Sequence, residues 1–179
     1  MVTVNIFRKG QDSMSITTLQ QGKQRLRILI LGAYKPVEKL KKLENLRDCL
    51  IKRGFQVTRL AMDFPDKRKY DKDMDVHYTK KSRRLIRKWA HVPILVFFNE
   101  ANNLGVANEL AYVCQSLLDK QSCCVVFFES GIDVGSQVRG SIKIAKKISY
   151  EIFKSDRELC DLAFGHALKV LDRLFYYLG

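Results

Sequence analysis

The feature that most constrains the fold is the stretch 92–118 in the middle of the chain, VPILVFFNEANNLGVANELAYVCQSLL. It begins with an apolar run, residues 94–98, whose length and β-branched and aromatic composition are typical of a strand buried on both faces. A polar loop follows, in which Asn102 or Asn103 can cap a helix made mostly of small and apolar residues. A strand buried on both faces needs cover above and below, so the stretch indicates an α/β protein.

Three further apolar runs, at 27–31, 55–60 and 123–128, have the same character and are separated by room for a helix. Between the first two, Pro36 is placed for the first turn of a helix, apolar residues recur at three- and four-residue intervals, and Gly54 supplies the stop. This is the β-α-β unit of a parallel sheet with a right-handed crossover. A shorter run at 148–153 predicts a strand at the sheet edge.

We therefore predict a single three-layer, doubly wound α/β domain over residues 25–179, flavodoxin-like, with about five mostly parallel strands. Residues 1–24 have no clear period and are rich in Ser, Thr and Gln, which favours a loosely ordered arm with one short strand at 2–7. The polar connection 61–79 is unusually long for a compact domain and is interpreted as a lid over a crevice. A basic helix is predicted from residue 80.

Composition excludes several classes of protein. The 179 residues are 46% apolar and 28% charged, as in globular domains. The five cysteines form no Cys-X-X-Cys pair and no zinc-spaced cluster, which favours core thiols in a reducing cytoplasm. Signal-peptide, membrane-span and phosphate-loop patterns are missing from the sequence, so we predict a soluble cytoplasmic protein without membrane contact, cofactor or metal.

The net charge of +13 is unevenly spread. Residues 35–88 hold 18 Lys/Arg against 8 Asp/Glu, whereas residues 89–133 hold 1 against 5. Such a basic flank fits an anionic ligand, or weak nucleic-acid contact through the cations of residues 80–88, although charge runs are usually solvated surface. Those cations are Lys80, Lys81, Arg83, Arg84, Arg87 and Lys88.

In a doubly wound sheet the ligand crevice lies outside the carboxyl ends of the strands. Gly32 follows the first strand and either lets a ligand approach the backbone or is a plain turn residue, while Tyr34 offers a ring for stacking. The other candidate binding residues, which follow the third and fourth strands, are Asn99, Asn102, Asn103, Glu129 and Ser130.

Glu109 is the one acid in the helix that follows the central strand. One turn back lies Gly105, which has no side chain and leaves open space over the carboxylate. The nearby helix start favours the ionised form. This is the setting of an active-site carboxylate, and the alternative is a surface glutamate on the wet stripe of the helix.

These residues carry a resemblance to a known family. A strand ending in Gly32 and Tyr34, followed later by G-x-A-x-E-L-x-Y at residues 105–112, resembles the nucleoside 2-deoxyribosyltransferase-like superfamily. That group includes the deoxynucleoside monophosphate N-glycosidases and is structurally akin to TIR domains. The chain departs from the family pattern at Val106, where Thr or Ser is usual, at Ala111, where Gly is usual, and at His91, where Asp is common.

The resemblance covers roughly residues 27–128. It implies a nucleoside or nucleotide ligand, a substrate contact at Gly105, and Glu109 as the nucleophile that attacks the anomeric carbon. The enzyme would be an N-glycosidic bond hydrolase or a deoxyribosyltransferase. A second group must protonate or orient the leaving base, and Glu100, Glu129 and His91 are the candidates.

The alternative is a non-catalytic protein, either a nucleotide sensor or a nucleic-acid-associated accessory factor. The sequence leaves open whether the chain acts as a monomer or as a homodimer.

Overall fold

A computed structural model describes residues 16–66 and 74–176 of the chain. Within these residues strands and helices alternate. In chain order they are α1 (Ile16–Arg25), β1 (Ile28–Gly32), α2 (Val37–Lys52), β2 (Thr58–Leu60), α3 (Met74–Lys88), β3 (Val92–Phe97), α4 (Leu104–Ser116), β4 (Val125–Glu129), α5 (Ser136–Ile144), β5 (Ser149–Phe153) and α6 (Asp156–Tyr176), with short 3₁₀ turns at Ala61–Asp63 and Gln121–Cys123.

The five strands form one parallel sheet in the order β2-β1-β3-β4-β5. Ile30 of β1 pairs with Leu60 on one side and with Ile94 of the central strand on the other. The predicted three-layer, flavodoxin-like α/β architecture is confirmed, including the central place of the run at 94–98 and the edge strand at 148–153.

Alternate side chains of each inner strand enter two separate cores. Ile28 and Ile30 pack with residues of α2 and α6, whereas Leu29 and Leu31 pack with residues of α3 and α4. Because both faces of the sheet are covered by helices, the strands are continuous apolar runs rather than alternating ones. In the described part of the chain, every helix is too short or too polar to cross a bilayer.

Strand β2 is shorter than predicted. Residues 55–57 form a turn, and only Thr58–Leu60 pair with β1. The apolar side chain of Phe55 belongs to the core and not to a strand. Its ring is fully buried under α6, where it contacts Phe164 edge-on with 5.7 Å between ring centres. The apolar run at 55–60 therefore predicted buried residues correctly, but strand β2 occupies only part of it.

Residues 16–25 form helix α1, where we had expected a loosely ordered arm. Leu19 packs against the core, and the Lys23 ammonium lies 5.0 Å from the centre of the Phe164 ring. A helix of ten residues is marginal by itself, so contacts of this kind stabilise it and no local pattern signals it. The predicted strand at 2–7 lies outside the described residues.

Helix α3 begins at Met74 and not at residue 80, so the polar connection after β2 is shorter than the sequence suggested. The extra turn of α3 is held by side chains. Lys81 Nζ donates to the Phe64 carbonyl at 2.6 Å and to Asp66 at 2.8 Å, and His77 Nε2 lies 3.1 Å from Asp66. Residues 67–73, the middle of the proposed lid, lie outside the described residues.

The expectation of free core thiols is wrong for two of the five cysteines. Cys49 of α2 and Cys160 of α6 form a disulfide, while Cys114, Cys123 and Cys124 are free. The two bonded cysteines are 111 residues apart in sequence and meet only because α2 and α6 pack side by side on one face of the sheet. Sequence spacing cannot reveal a pairing of this kind.

Candidate functional site

A cavity of about 540 Å³ opens beside the carboxyl ends of β1 and β2, between α3 and the start of α4. The strand order places β2 and β3 on opposite sides of β1, so the cavity lies at the point where the chain winding reverses. This is where ligands bind in open α/β sheets. Its lining includes five of the predicted site residues, which are Gly32, Tyr34, Asn102, Gly105 and Glu109.

Glu109 lies in the second turn of α4, half-buried, with its carboxylate in the cavity. Among the described residues, no Lys or Arg forms an ion pair with this carboxylate. Burial raises the pKa of Glu109 to about 7, and the neighbouring Ser82 hydroxyl offsets part of the rise. The expected stabilisation of the ionised form by the helix start is therefore outweighed, because Glu109 lies beyond the first turn, where such an effect fades.

Gly105 leaves the predicted gap beside this carboxylate. A Cβ built on Gly105 meets no atom within 4 Å, so the space belongs to the cavity and not to a packed neighbour. Gly32 is different. A Cβ there would stand 3.0 Å from the Val96 carbonyl oxygen and from the Leu43 side chain, so close packing on β3 and α2 favours glycine at this position.

Tyr34 reaches into the cavity from the turn after β1. Its hydroxyl oxygen is buried and has no hydrogen-bond partner within residues 16–66 and 74–176. Burial, and next the charge of Glu109, raise the pKa of Tyr34 well above its usual range. The nearby Ala61 backbone lowers it by less, and its geometry is not that of a hydrogen bond. The hydroxyl thus keeps its proton at any physiological pH, and it can donate a hydrogen bond to a bound ligand.

Positive charge is arranged unevenly around the cavity. Lys81 lines it but is only 6% exposed, since its ammonium is bound to Asp66 and to the Phe64 carbonyl. Lys35 and Arg83 line the cavity from exposed positions, with the Arg83 guanidinium 5.1 Å from the centre of the Tyr112 ring. An anionic ligand would therefore meet the charges of Lys35 and Arg83 and not that of Lys81.

Helix α3 contributes residues that sequence analysis did not assign to the site. Ser82, Tyr78 and Thr79 line the same cavity as Glu109, and the Ser82 hydroxyl donates to the Thr79 carbonyl at 3.2 Å. A signal was present for Ser82, because it lies three and four residues before the buried Leu85 and Ile86 and so belongs to the inward stripe of the helix. We had predicted a basic helix with Leu85, Ile86 and Trp89 turned inward, and had assigned none of its inward residues to the site.

Four predicted binding residues lie outside the cavity lining. Asn99 donates from Nδ2 to the Ser130 carbonyl at 2.6 Å and from its backbone to Glu129 at 2.8 Å. The Asn103 side chain accepts from the Phe98 N–H at 3.1 Å and donates to the Phe98 carbonyl at 2.8 Å. These contacts brace the loops after β3 and β4.

Glu129 is bound between Lys39 at 3.1 Å and Lys42 at 2.6 Å. Burial raises the pKa of Glu129, but hydrogen bonds from Lys42, Asn99 and Lys39 together bring it below its usual value. A carboxylate in this setting stays ionised and cannot donate a proton to a leaving base. Glu129 therefore joins α2 to the loop after β3 and lies outside the cavity lining.

The other two candidate proton donors are also outside the cavity. His91 precedes β3, at the amino end of the sheet, with its ring nitrogens 3.2 Å from the Arg27 backbone nitrogen and 2.8 Å from the Arg27 guanidinium. Burial, then the charges of Arg27 and Lys120, lower the pKa of His91. Glu100 is an exposed loop residue with a positive φ of 52°.

The basic face predicted to contact nucleic acid is exposed at five of its six cations. Lys81 is buried in its contacts to Asp66 and Phe64, whereas Arg84, Arg87 and Lys88 are exposed along the outer side of α3. No group of three or more His, Cys, Asp or Glu residues that could hold a metal ion occurs within residues 16–66 and 74–176.

No protein-family model matches the chain, and no curated protein matches it either. The resemblance to the nucleoside 2-deoxyribosyltransferase-like superfamily therefore rests on the motif at residues 105–112 and on the turn with Gly32 and Tyr34.

Proposed function

We propose that the chain hydrolyses or transfers the N-glycosidic bond of a nucleoside or nucleotide, with Glu109 as the nucleophile. The observation that carries the proposal is the carboxylate of Glu109, which has no ion-pair partner among the described residues, in a cavity of about 540 Å³ at the switch point of the sheet. Tyr34, whose hydroxyl has no hydrogen-bond partner among the same residues, also lines this cavity. A cavity of this size suits a ligand as large as a nucleotide. The motif around Glu109 supplies the chemical class.

The reaction needs little equipment beyond the carboxylate. Glu109 attacks C1′ of the sugar, the C1′–N bond breaks, and its electron pair leaves with the base, which takes up a proton from water at the cavity mouth. The negative carboxylate stabilises the oxocarbenium-like transition state and then forms a glycosyl ester. Water, or the nitrogen of a second base, attacks C1′ of this ester and releases Glu109.

The ionisation of Glu109 sets the pH range of this chemistry. Because burial raises its pKa to about 7, roughly half of the free protein carries the reactive carboxylate at neutral pH. A desolvated carboxylate attracts a developing positive charge more strongly than a hydrated one does. Burial of Glu109 would therefore strengthen its stabilisation of the transition state.

A pH profile tests this assignment. The value of kcat/KM should rise with pH through an apparent pKa near 7 and level off above it, because only ionised Glu109 attacks. The measurement is base release at subsaturating substrate from pH 5 to 9. A profile that falls as pH rises through 7 would make Glu109 a general acid and would contradict the nucleophilic role.

Tyr34 is proposed to position Glu109 or the sugar through its hydroxyl. Tyr34→Phe should lower base release about 10- to 100-fold, since it removes a preorganised donor. It should leave the free energy of unfolding unchanged or raise it by up to about 1 kcal/mol, because a buried unsatisfied hydroxyl is costly. The two measurements are turnover and urea denaturation.

Tyr112→Phe provides the matched control, since it makes the same chemical change on α4 at a tyrosine outside the cavity lining. Equal turnover in the Tyr34→Phe protein and the unmodified chain would mean that the hydroxyl has no part in the reaction. A loss of stability without a loss of turnover would give Tyr34 a purely structural role.

The proposal as a whole is tested by incubating the chain with a panel of ribonucleosides, deoxynucleosides, their monophosphates and NAD. Free base is measured by chromatography, with and without a second base as acceptor. Hydrolysis gives base without acceptor, and transfer gives a new nucleoside.

Binding of a nucleotide without turnover is the second candidate. One observation favours it, because Glu100, Glu129 and His91, the candidate donors to a leaving base, all lie outside the cavity lining. In that case calorimetry would detect nucleotide binding that Gly105→Leu abolishes by filling the cavity, while no member of the panel would release base.

A further inference from the structure

Within the residues that the structure describes, strand β5 pairs with β4 alone and leaves one edge of the sheet unpaired. The Phe153 carbonyl accepts from the Ser130 N–H at 2.8 Å, so the backbone groups of Phe153 point toward β4. In a parallel strand the N–H and C=O of one residue point to the same side and alternate along the chain. The backbone groups of Tyr150 and Ile152 therefore point outward, where another strand could pair with them.

The open edge has a definite end. The Lys154 N–H, the next outward group after Ile152, donates to Glu158 Oε2 at 2.7 Å. Glu158 lies in the first turn of α6 and so closes the edge at this point. The available edge is a short one, centred on Tyr150 and Ile152.

An apolar groove runs beside this edge, and it lies on the opposite side of the sheet from α6. It has a volume of about 380 Å³. Tyr150 and Ile152 are 59% and 60% exposed within it, since the short helix α5 does not cover β5. Its other apolar lining residues are Phe128, Ile132, Val134 and Ile142.

Positive charge surrounds the groove. Arg139 and Lys143 line it, and Lys146, Lys147 and Lys154 are exposed at the two ends of β5. The acids beside the groove are already paired or face away from it. Glu129, which also lines the groove, lies between Lys39 and Lys42, and Asp133 is paired with Arg139 at 3.4 Å. Glu158 accepts from the Lys154 N–H, and Glu151 alternates with Tyr150 and Ile152 and so faces the other side of the strand.

We propose that the β5 edge binds an extended acidic segment of a partner protein as a sixth strand. The outward backbone groups would pair with it, alternate apolar side chains of the segment would enter the groove, and its acidic side chains would meet the surrounding cations. The charge pattern selects this occupant over a second copy of the chain, because two β5 edges would bring their lysines together.

This surface is separate from the Glu109 cavity and shares no lining residue with it. The proposal therefore does not depend on the enzymatic one. It also explains why an exposed tyrosine and an exposed isoleucine occur together on an edge strand, where apolar residues are a liability unless they are covered.

The test uses two fluorescent synthetic peptides of about seven residues, long enough to span β5. One alternates Glu with Val, and the other alternates Lys with Val. Fluorescence anisotropy with the full chain should detect binding of the Glu peptide alone. Amide resonances of Tyr150 and Ile152 should shift in the same titration.

Two variants locate the binding. Ile152→Ser should weaken the Glu peptide about three- to tenfold, because it removes apolar surface from the groove without adding charge. Lys143→Glu should weaken it about three- to tenfold by reversing a lining charge. Lys41→Glu, which makes the same reversal at an exposed position on α2, should have little effect.

Three results would overturn the proposal. The first is no binding of the Glu peptide, and the second is equal binding of both peptides, or groove variants that bind the Glu peptide as tightly as the unmodified chain does. The third is a concentration-dependent dimer in sedimentation that Ile152→Ser weakens, which would assign the edge to a second copy of the chain.

Discussion

Glu109→Gln is expected to lower base release at least about a thousandfold while changing nucleotide affinity little. Glutamine keeps the size and hydrogen-bonding reach of the side chain but cannot attack C1′ or carry the charge that faces the oxocarbenium. Because that interaction belongs to the transition state, kcat should fall and the dissociation constant should not. Chromatography of released base and calorimetry with an unreactive nucleotide measure the two quantities.

The same substitution should stabilise the fold at neutral and higher pH. The folded-state pKa of Glu109 is raised from its model-compound value of 4.5 to about 7, so burial of the charged form costs stability as pH rises between these values. Above pH 7 the gain for Glu109→Gln should be on the order of 3 kcal/mol. Below about pH 4.5 the gain should vanish, because the glutamic acid is then neutral in both states.

Glu44→Gln, the same change on α2 outside the cavity lining, serves as the control and should leave base release unaltered. Undiminished base release in the Glu109→Gln protein would rule out the mechanism. A loss of stability above pH 7 would contradict the unpaired, desolvated state of the carboxylate.

The sheet could be predicted because its inner strands are continuous apolar runs in the sequence. The runs around Ile30, Ile94 and Val126 are apolar throughout, since helices cover both faces, and Gly54 and Gly131 mark where the chain turns with positive φ. The failures occur where tertiary contacts decide. Helix α1 depends on Leu19 and on Lys23 over aromatic rings, which no local pattern encodes.

The site could be predicted in part. Helical spacing linked Gly105 to Glu109, and the rule for doubly wound sheets pointed to Tyr34. The same rule wrongly placed Glu129 in the crevice. A position at the carboxyl end of a strand tells at which edge of the sheet a residue lies, but not whether its side chain faces the cavity. Lys39 and Lys42, far away in sequence, decide the environment of Glu129.

The largest effect on stability is expected from the Cys49–Cys160 disulfide. It closes a loop of 111 residues, and the chain-entropy model assigns such a loop about 4–5 kcal/mol of stabilisation, which acts by restricting the unfolded chain. Cys49→Ser should lower the free energy of unfolding by about that amount in urea without reductant. Since domains of ordinary size are stable by only about 5–15 kcal/mol, this is a large fraction of the total.

Reductant provides the internal comparison for this prediction. With dithiothreitol present, the unmodified chain should unfold at the same urea concentration as Cys49→Ser, and the Cys49→Ser/Cys160→Ser double variant should match both, because each lacks the same cross-link. Titration of the unfolded, unreduced chain with a thiol reagent should find the three free cysteines and not all five. A urea midpoint that does not respond to reductant, together with five reactive thiols, would show that α2 and α6 are held by packing alone.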